Sequence, residues 1–419
     1  MPRTYPGLPV PQMRFCFFIV VCTFTTLCLA GCRSETSGAS GGDSSFSLED
    51  SAGITIAHSL ERRLPKTSLA RTISDSDLRW ATDGSSAPGG PFFRIQGLRQ
   101  LPDGRVAVVD AGSRELHFLD PNGEFLFSLG RRGQGPGEFE NPSLVPSLAS
   151  DSSFIWDSRF RRFQVFANDG STRQVSTPSS WPLGAGVRPP LGLVAGDALV
   201  RVTRVFTPEY SATPGVKTNP VAFWLIDLLA DSVVHLGEFS IQEEFIQRPI
   251  GRPPQGTAVP FSPIPCATVA KNSVLVSDGL HPEIHEFDLD GRLVRILRIH
   301  RDPVRVTPDL LDSLLHARYT PEAIPYVKRA FDAMPIPEVV PSFDRLIGDL
   351  VGWIWARAFH WDPAVPKEWI GFDDTGQIRT ILRVPANLVV GWFDHRHLVG
   401  VWTDSLGVES VRQYTLPRS

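Results

Sequence analysis

Residues 106–129 read VAVVDAGSRELHFLDPNGEFLFSL, and residues 274–297 read VLVSDGLHPEIHEFDLDGRLVRIL. The two stretches align without a gap, so that Asp110 falls on Asp278, and a further copy places Asp157 at the same point of the pattern. Each copy consists of short, largely apolar runs that are separated by turn residues. This pattern is typical of short antiparallel strands joined by hairpins.

Repeats of this kind predict an all-β fold of the β-propeller type, in which each repeat forms one small sheet, or blade. We name the strands of a blade A to D from the innermost to the outermost. Strand spacing predicts six blades in one domain. They are expected at about Phe92–Leu129, Ser143–Ser176, Leu191–Phe239, Cys266–Ile299, Phe343–Val384 and Leu388–Thr415.

The last of these repeats has residues for three strands only, and the chain offers a candidate for the fourth near its beginning. Ile54–His58 reads as a strand that precedes the first repeat. Pairing it with the sixth blade would cover an exposed strand edge and close the ring. The sequence therefore predicts a six-bladed β-propeller closed by an N-terminal strand in the last blade.

The segment after the first repeat carries a family resemblance. It contains SLG at 128–130, GQGPGEF at 133–139 and NP at 141–142. This stretch resembles the link between blades of NHL-type six-bladed propellers, while the other links depart from it. The resemblance implies the fold and says almost nothing about activity, because propellers host many unrelated functions.

The first residues look like an export signal. Residues 1–14 carry Arg3 and Arg14 and no acid, and residues 15–30 form an apolar run that is short for a membrane span. The run ends in LAGC at 29–32, which resembles the lipobox of bacterial lipoproteins. The alternative is an ordinary signal peptide followed by a chance cysteine.

The lipobox resemblance implies cleavage before Cys32 and diacylation of its thiol, which would anchor the protein to a membrane. We thus expect residues 1–31 to be a lipoprotein signal peptide, 32–50 a flexible Ser/Gly-rich tether and 51–419 the propeller. The same resemblance implies, from Arg33 rather than Asp after the cysteine, the outer membrane of the bacterial cell envelope, facing the periplasm or the surface.

Composition limits the possible partners. Beyond the leader and Cys32 the chain has one cysteine, Cys266, so no intramolecular disulfide is expected in the body. The net charge is −4, and loss of the two leader arginines makes it about −6. A mildly acidic body lacks the excess of positive charge that is typical of nucleic-acid-binding proteins. We expect a monomer whose stability comes from a core, in keeping with 42% hydrophobic residues.

Alternating strand direction divides the turns between two faces. The C–D turns are short, whereas the long segments 131–142, 205–220, 240–263 and 300–341 fall on the face of the B–C loops and D–A links. The last of them, a predicted insertion between blades 4 and 5, has helix signals in Thr307-Pro308 and Thr320-Pro321. Elaborated loops on one side of a rigid scaffold usually carry the binding function, although they could simply cover blade ends.

Recurring carboxylates lie at the ends of the B strands on this loop-rich face: Asp110, Asp157, Asp278, Asp362 and Asp404. A ring of carboxylates suits a cation or an amine. The simpler interpretation is that each accepts backbone N–H bonds and fixes its turn. Arginines cluster nearby and could bind a carboxylate or phosphate, pair with the aspartates or stay solvated. They are Arg131, Arg132, Arg159, Arg161, Arg162 and Arg204.

Histidines and tryptophans complete the candidates. His281 follows strand B of blade 4, and His360 and Trp361 follow strand B of blade 5. Trp361 is placed to stack on a sugar ring. Metal-dependent propellers exist, but their ligand sets do not map onto this sequence, so no metal, cofactor or catalytic residue is expected. Most other tryptophans alternate into positions between blades.

Two hypotheses remain. The first is a lipid-anchored binding or scaffolding propeller whose loop-rich face takes an unknown protein, peptide or glycan. The alternative is a hydrolase or lyase with a polar, possibly metal-assisted site at the channel mouth, and whether the protein is an enzyme stays open. An enzyme would need convergent acid, base or metal groups. A binding protein would instead need an apolar or aromatic patch.

Overall fold

The structure is a computed structural model that describes residues 45–60, 69–147, 151–176, 190–195, 197–203, 213–218, 221–227, 232–239, 243–247 and 255–416. All of these residues belong to one compact unit, Ser44–Ser419. The leader, Cys32 and most of the predicted tether therefore lie outside the described residues.

Thirty strands and two α-helices are described. Four strands precede the first repeat: β1 (Phe46–Ser51), β2 (Ile54–Leu60), β3 (Ala70–Thr72) and β4 (Leu78–Thr82). The next thirteen are β5 (Ile95–Gln100), β6 (Val106–Asp110), β7 (Glu115–Leu119), β8 (Phe125–Leu129), β9 (Pro142–Val145), β10 (Ser152–Asp157), β11 (Arg162–Ala167), β12 (Thr172–Ser176), β13 (Gly192–Val194), β14 (Asp197–Thr203), β15 (Gly215–Thr218), β16 (Val221–Asp227) and β17 (Val233–Phe239). The remaining strands are β18 (Glu243–Gln247), β19 (Gln255–Ala258), β20 (Cys266–Ala270), β21 (Ser273–Ser277), β22 (Glu283–Phe287), β23 (Leu293–His300), β24 (Phe343–Gly348), β25 (Ile354–Ala358), β26 (Lys367–Phe372), β27 (Ile378–Val384), β28 (Leu388–Phe393), β29 (His397–Thr403) and β30 (Glu409–Thr415). The helices are α1 (Pro308–Arg318) and α2 (Ile324–Asp332).

The strands form seven sheets, and six of them are built on the repeats. Five of the repeats contribute four antiparallel strands each, in the orders β5-β6-β7-β8, β9-β10-β11-β12, β13-β14-β16-β17, β20-β21-β22-β23 and β24-β25-β26-β27. The last repeat contributes β28-β29-β30. We call these sheets one to six in chain order. The seventh sheet, β15-β18-β19, stands apart from the repeats.

The innermost strands of neighbouring sheets contact one another in chain order, as in a β-propeller. β5 contacts β9, β13 contacts β20, β20 contacts β24, β24 contacts β28, and β28 contacts β5. Between sheets two and three the link is a bridge of Ser147 to Leu193. The approach between sheets four and five is so close that a Cβ on Gly348 would lie 2.4 Å from the Val269 carbonyl oxygen. Glycine at this innermost position therefore lets the two strands meet.

The N-terminal strands differ from the prediction. Ile54–Leu60 runs parallel to β23 at the outside of sheet four, not in sheet six. The edge of sheet six is filled instead by Leu78–Thr82, which pairs antiparallel with β30. β3 adds a parallel strand to β27 of sheet five. An N-terminal strand does join the last sheet, but it is β4, whose Trp80 packs against the apolar cluster between sheets six and one.

The last residues of the predicted tether form a β-strand. Phe46–Ser51 forms a hairpin with β2 and is the edge strand of sheet four. Its side chains after Phe46 are exposed, which explains why the polar composition suggests a linker. The strand gains its stability from the backbone ladder to β2 rather than from apolar burial.

The core lies between adjacent sheets because alternate residues of each strand face a neighbouring sheet. Leu275 and Leu297 of sheet four pack with Leu346 and Ile370 of sheet five. Trp355 of sheet five stacks on Phe393 of sheet six at 4.3 Å between ring centroids, and both are buried. Each such aromatic side chain contributes about 2–3 kcal/mol on burial, which suits a body stabilised without disulfides.

Two helices and the seventh sheet form a lid-like layer on the loop-rich face, which we call the cap (α1, α2, β15, β18 and β19). α1 begins where Thr307 accepts a hydrogen bond from the backbone N–H of Leu310. Segments that the sequence suggested were loops thus supply strands β15, β18 and β19. Leu314, Leu315, Phe331 and Val259 form the apolar cluster that joins the helices to this sheet. Within the described part of the chain, no helix is long and apolar enough to cross a membrane.

Candidate functional site

Three cavities lie beside the cap and the innermost strands. The channel cavity, about 310 Å³, is lined by the innermost strands β20 and β24 together with residues before β13 and β20. The cap cavity, about 340 Å³, lies between the cap and sheet five. The outer cleft, about 680 Å³, lies between the links around sheets four and five. Ile264 and Asp344 line both the channel cavity and the cap cavity, so these two adjoin.

Two arginines face each other across strands β24 and β25 at this junction. Arg345 is the register partner of Arg357, and the register slips between Phe343 and Arg345 because Asp344 is an extra residue. Like charges directly opposite destabilise a sheet unless they are compensated. Asp344 supplies one compensation, since its carboxylate lies 2.5 Å from Arg357 Nε. Arg345 lines the channel cavity.

The Arg345 guanidinium has no hydrogen bond or ion pair with any described side chain or backbone group. Burial, together with the neighbouring charge of Arg357, lowers its pKa to about 10, and Asp344 opposes the shift. The group therefore stays positively charged at neutral pH, and its side chain is only partly exposed. An arginine in this state interacts favourably with an oxyanion that brings its own hydrogen-bond acceptors.

More cations surround the junction than carboxylates. Arg318 of α1 lines the cap cavity with Arg357 and donates from Nε to the Trp361 carbonyl oxygen at 2.9 Å. Burial, then the charge of Arg357, lowers the pKa of Lys367. The Lys367 ammonium donates to the Asp362 carbonyl oxygen at 2.5 Å. Four cationic side chains thus lie near this junction, although the net charge of the chain is negative.

The outer cleft brings together His281 and Trp361, two residues singled out from the sequence, and it also includes His360. His360 stacks on Trp361 with ring centroids 4.3 Å apart, and the Trp361 indole N–H donates to Ser313 of α1 at 3.0 Å. Burial, then the charge of Lys367, lowers the pKa of His360. His281 is exposed and its Nδ1 lies 2.5 Å from Asp278. Trp361 therefore also stabilises the position of the cap through this hydrogen bond.

The arginines near sheets one and two occupy a different place from His281 and Trp361. Arg131 donates from Nε to Glu138 at 2.8 Å, and Arg132 lies 3.4 Å from Glu140. Hydrogen bonds from Gly135 N–H and from Arg131 lower the pKa of Glu138. Arg131 and Arg132 thus each have a carboxylate beside them.

The other arginines of the group differ in what surrounds them. Arg162 donates to the carbonyl oxygens of Gln134, Gly135 and Glu138, so it holds the link between sheets one and two. Arg159 and Arg161 are exposed on the turn of sheet two. Arg204 lies outside the described residues.

The carboxylates at the ends of the B strands accept backbone N–H bonds. Asp157 is fully buried and accepts from Glu140 at 2.8 Å and from Arg159 at 3.0 Å. Asp110 accepts from Gly112 at 2.8 Å and Phe93 at 3.3 Å. Asp278, Asp362 and Asp404 accept from their own turns, from Leu280, Ala364 and Leu406 respectively. These contacts tie turns and incoming links to the B strands.

Histidine, cysteine, aspartate and glutamate side chains of the described residues form no group of three that could hold a metal ion. His281 and His360 share the outer cleft, but no described carboxylate or thiol completes a ligand set with them. Cys266 lines the channel cavity and is partly buried.

Sequence reasoning missed Arg345 and Arg357. The available signal was the charged pair Asp344-Arg345 at the start of an innermost strand that is otherwise apolar, FDRLIG. Simple alternation would not place Arg345 opposite Arg357, because the register slip at Asp344 changes the face on which later residues lie.

No family model and no curated protein matches this chain. Among solved structures, an exported protein from Bacteroides fragilis, described as putative in its name, matches at 10% identity and a TM-score of 0.46, covering 84% of this chain and 99% of that one. The calcium-binding protein regucalcin from Agrobacterium tumefaciens matches at 11% identity and a TM-score of 0.39, covering 84% and 97%. Virginiamycin B lyase from Staphylococcus aureus matches at 11% identity and a TM-score of 0.36, covering 77% and 95%. Likenesses at this level carry no argument about activity or ligand.

Proposed function

We propose that this protein is a lipid-anchored binding protein of the bacterial cell envelope, with a propeller body that receives a peptide or glycan segment on its capped, loop-rich face. The observation that carries the proposal is the outer cleft of about 680 Å³, which lies within the range of about 300–1,000 Å³ typical of ligand sites. Leu280, Val304 and Val339 supply apolar lining, and His281 and His360 supply polar groups.

Prolines and a hydrogen bond restrict the movement of the links that form the wall of the cleft. Pro282, Pro303 and Pro341 lie in its wall, and proline has a fixed φ that reduces the entropy lost on binding. The Ser342 hydroxyl donates to the Leu280 carbonyl oxygen at 2.7 Å and so joins the two links that border the cleft. Val304 is 55% exposed and so offers an apolar side chain to a ligand in the cleft.

Six blades in a closed ring, of the NHL type, form part of this proposal. The contact of β28 with β5 and the pairing of β4 with β30 support ring closure. The link that resembles the NHL motif is a compact loop in which Phe139 is fully buried and Glu138 accepts a hydrogen bond from Gly135 N–H.

Binding is tested with the purified protein on arrays of peptides and oligosaccharides. Val304→Glu and His281→Ala are expected to lower binding of the selected probe at least about tenfold, since both side chains border the cleft. The matched control is Asp290→Arg on the opposite face, where Asp290 lies in the β22–β23 turn. Equal loss in the control, or no loss in the cleft variants, would refute the cleft as the binding site.

The membrane anchor is tested separately in cells. Metabolic labelling with an alkyne fatty acid is expected to mark the full chain, and Cys32→Ser is expected to remove the label and release the protein from the membrane fraction. A label of unchanged intensity in the Cys32→Ser variant would show that the fatty acid is attached elsewhere and would contradict Cys32 as the anchor.

A further inference from the structure

The channel cavity and the cap cavity share a feature that peptide or glycan binding in the outer cleft does not use. They adjoin at Ile264 and Asp344, and the Arg345 guanidinium lines the inner of the two. Asp344 is already engaged by Arg357. The half-buried Arg345 thus has no ion pair of its own among the described residues, at the border of two cavities.

The walls around this cation are apolar. Val269, Leu346 and Ile347 line the channel cavity. Phe261, Phe331 and Phe359 line the cap cavity on the far side of Ile264. Ile264 is 43% exposed, which fits a side chain that separates two open spaces. Transfer of apolar surface into such walls is favourable by about 25 cal/mol per Å².

We propose that these two cavities form one binding site for an amphipathic acid, a molecule with a carboxylate or phosphate group on an apolar body. The acid group pairs with Arg345 in the channel cavity, and the apolar body passes Ile264 into the cap cavity. This site borders the outer cleft at Phe359, which lines both the cap cavity and the cleft, but Arg345 does not line the cleft.

The charge balance supports an anionic head group over a neutral or cationic one. Arg345, Arg357 and Arg318 line the two cavities, against Asp344 alone. An acid group relieves the repulsion between the facing Arg345 and Arg357, because it supplies the second negative charge that this pair of strands lacks. A neutral alcohol of the same length cannot do so.

The ligand class is tested by calorimetric titration of the full chain with octanoate, octyl phosphate and octanol. The first two probes distinguish a carboxylate from a phosphate head group. At least one acid is expected to bind about tenfold or more tightly than octanol, the size expected for a charge-assisted hydrogen bond. Arg345→Met is expected to abolish that difference, and Arg345→Lys to retain part of it because the charge remains without the planar fork.

The control variant is Arg292→Met, an arginine 76% exposed on the opposite face. It is expected to leave acid binding unchanged, as are the cleft variants Val304→Glu and His281→Ala. Thermal unfolding of each variant shows whether it is folded.

A second readout needs no variant. Cys266 lines the channel cavity, and peptide mass spectrometry can follow its alkylation by iodoacetamide in the full chain. The acid that binds is expected to slow alkylation of Cys266 at least about tenfold at saturating concentration, whereas octanol is expected to have little effect. This measurement decides the question even if Arg345→Met fails to fold.

Absence of binding by both acids, equal binding of octanol, or unchanged acid binding in folded Arg345→Met would overturn the site. Unprotected Cys266 at saturating acid would do the same. These results leave peptide or glycan binding in the outer cleft untouched, so the two proposals fail independently.

Discussion

The Asp157 carboxylate accepts a 2.8 Å hydrogen bond from the backbone N–H of Glu140, seventeen residues earlier in the chain. It also accepts from Asn141 at 3.3 Å and from its own turn at Arg159. One buried side chain thus joins the B–C turn of sheet two to the link that arrives from sheet one. The repeated aspartate can therefore be explained by backbone geometry without a ligand.

Asp157→Ala is expected to lower the free energy of unfolding by about 3 kcal/mol, because several partly buried N–H donors lose their acceptor and each such loss costs about 1 kcal/mol or more. Asp404→Ala is the matched control, since Asp404 occupies the equivalent position in sheet six but is exposed. It is expected to cost less than about 1 kcal/mol. Urea unfolding measures both, and equal effects would contradict a special role of burial at Asp157.

Arg99 gives a second stability prediction. It is 2% exposed, and its Nη1 donates to the Ser152 carbonyl oxygen at 2.8 Å, joining sheets one and two. Burial lowers its pKa to about 10, and Asp151 opposes the shift. Arg99→Met keeps most of the side-chain volume but removes this donor, so we expect a loss of about 2 kcal/mol in urea unfolding. Exposed Arg71→Met is the control, and a neutral or stabilising Arg99→Met would show that apolar packing replaces the hydrogen bond fully.

Closure by β4 rather than by β2 leads to a third prediction. Trp80 packs in the cluster between sheets six and one, whereas Leu48 of β1 is 57% exposed at the edge of sheet four. Trp80→Ala is expected to cost about 3 kcal/mol, and Leu48→Ala less than about 0.5 kcal/mol. Thermal and urea unfolding measure both. A larger effect at Leu48 would contradict the assignment of β4 as the strand that completes sheet six.

The sequence predicts the repeated part of the fold well and the additions to it poorly. Asp110, Asp157 and Asp278 mark the ends of B strands because each repeat needs the same turn. Ile54–Leu60 has no repeat to align with, so its parallel pairing to β23 depends on long-range contacts that no local pattern encodes. The sheet β15-β18-β19 could not be predicted for the same reason, since its strands come from segments that read as loops.

The candidate sites show the same limit. His281 and Trp361 were found because both follow B strands, and the structure brings them to one cleft. Arg345 and Arg357 were missed because their meeting depends on the register slip at Asp344. A slip of one residue reverses the side-chain alternation of a strand, and nothing in the local composition locates it.

His117 leads to a prediction on pH. It is buried between the rings of Phe92 and Phe125, and Ser113 Oγ lies 3.2 Å from its Nε2. Burial lowers its pKa below the ordinary 6.5, although Glu115 and Asp110 oppose the shift. The unfolded chain therefore binds more protons than the folded one below about pH 6.5, so His117 makes the fold less stable as the pH falls through that value and towards the folded pKa.

His117→Gln removes this titration and keeps a polar side chain. We expect the wild-type protein to lose more stability than the variant between pH 7.5 and 5, by up to about 1.4 kcal/mol for each unit of pKa shift. Urea unfolding at several pH values measures the difference, and His395→Gln on an exposed turn is the control. Parallel stability curves for the wild type and His117→Gln would mean that the imidazole is protonated alike in both states, and that its buried place between two aromatic rings does not exclude the charged form.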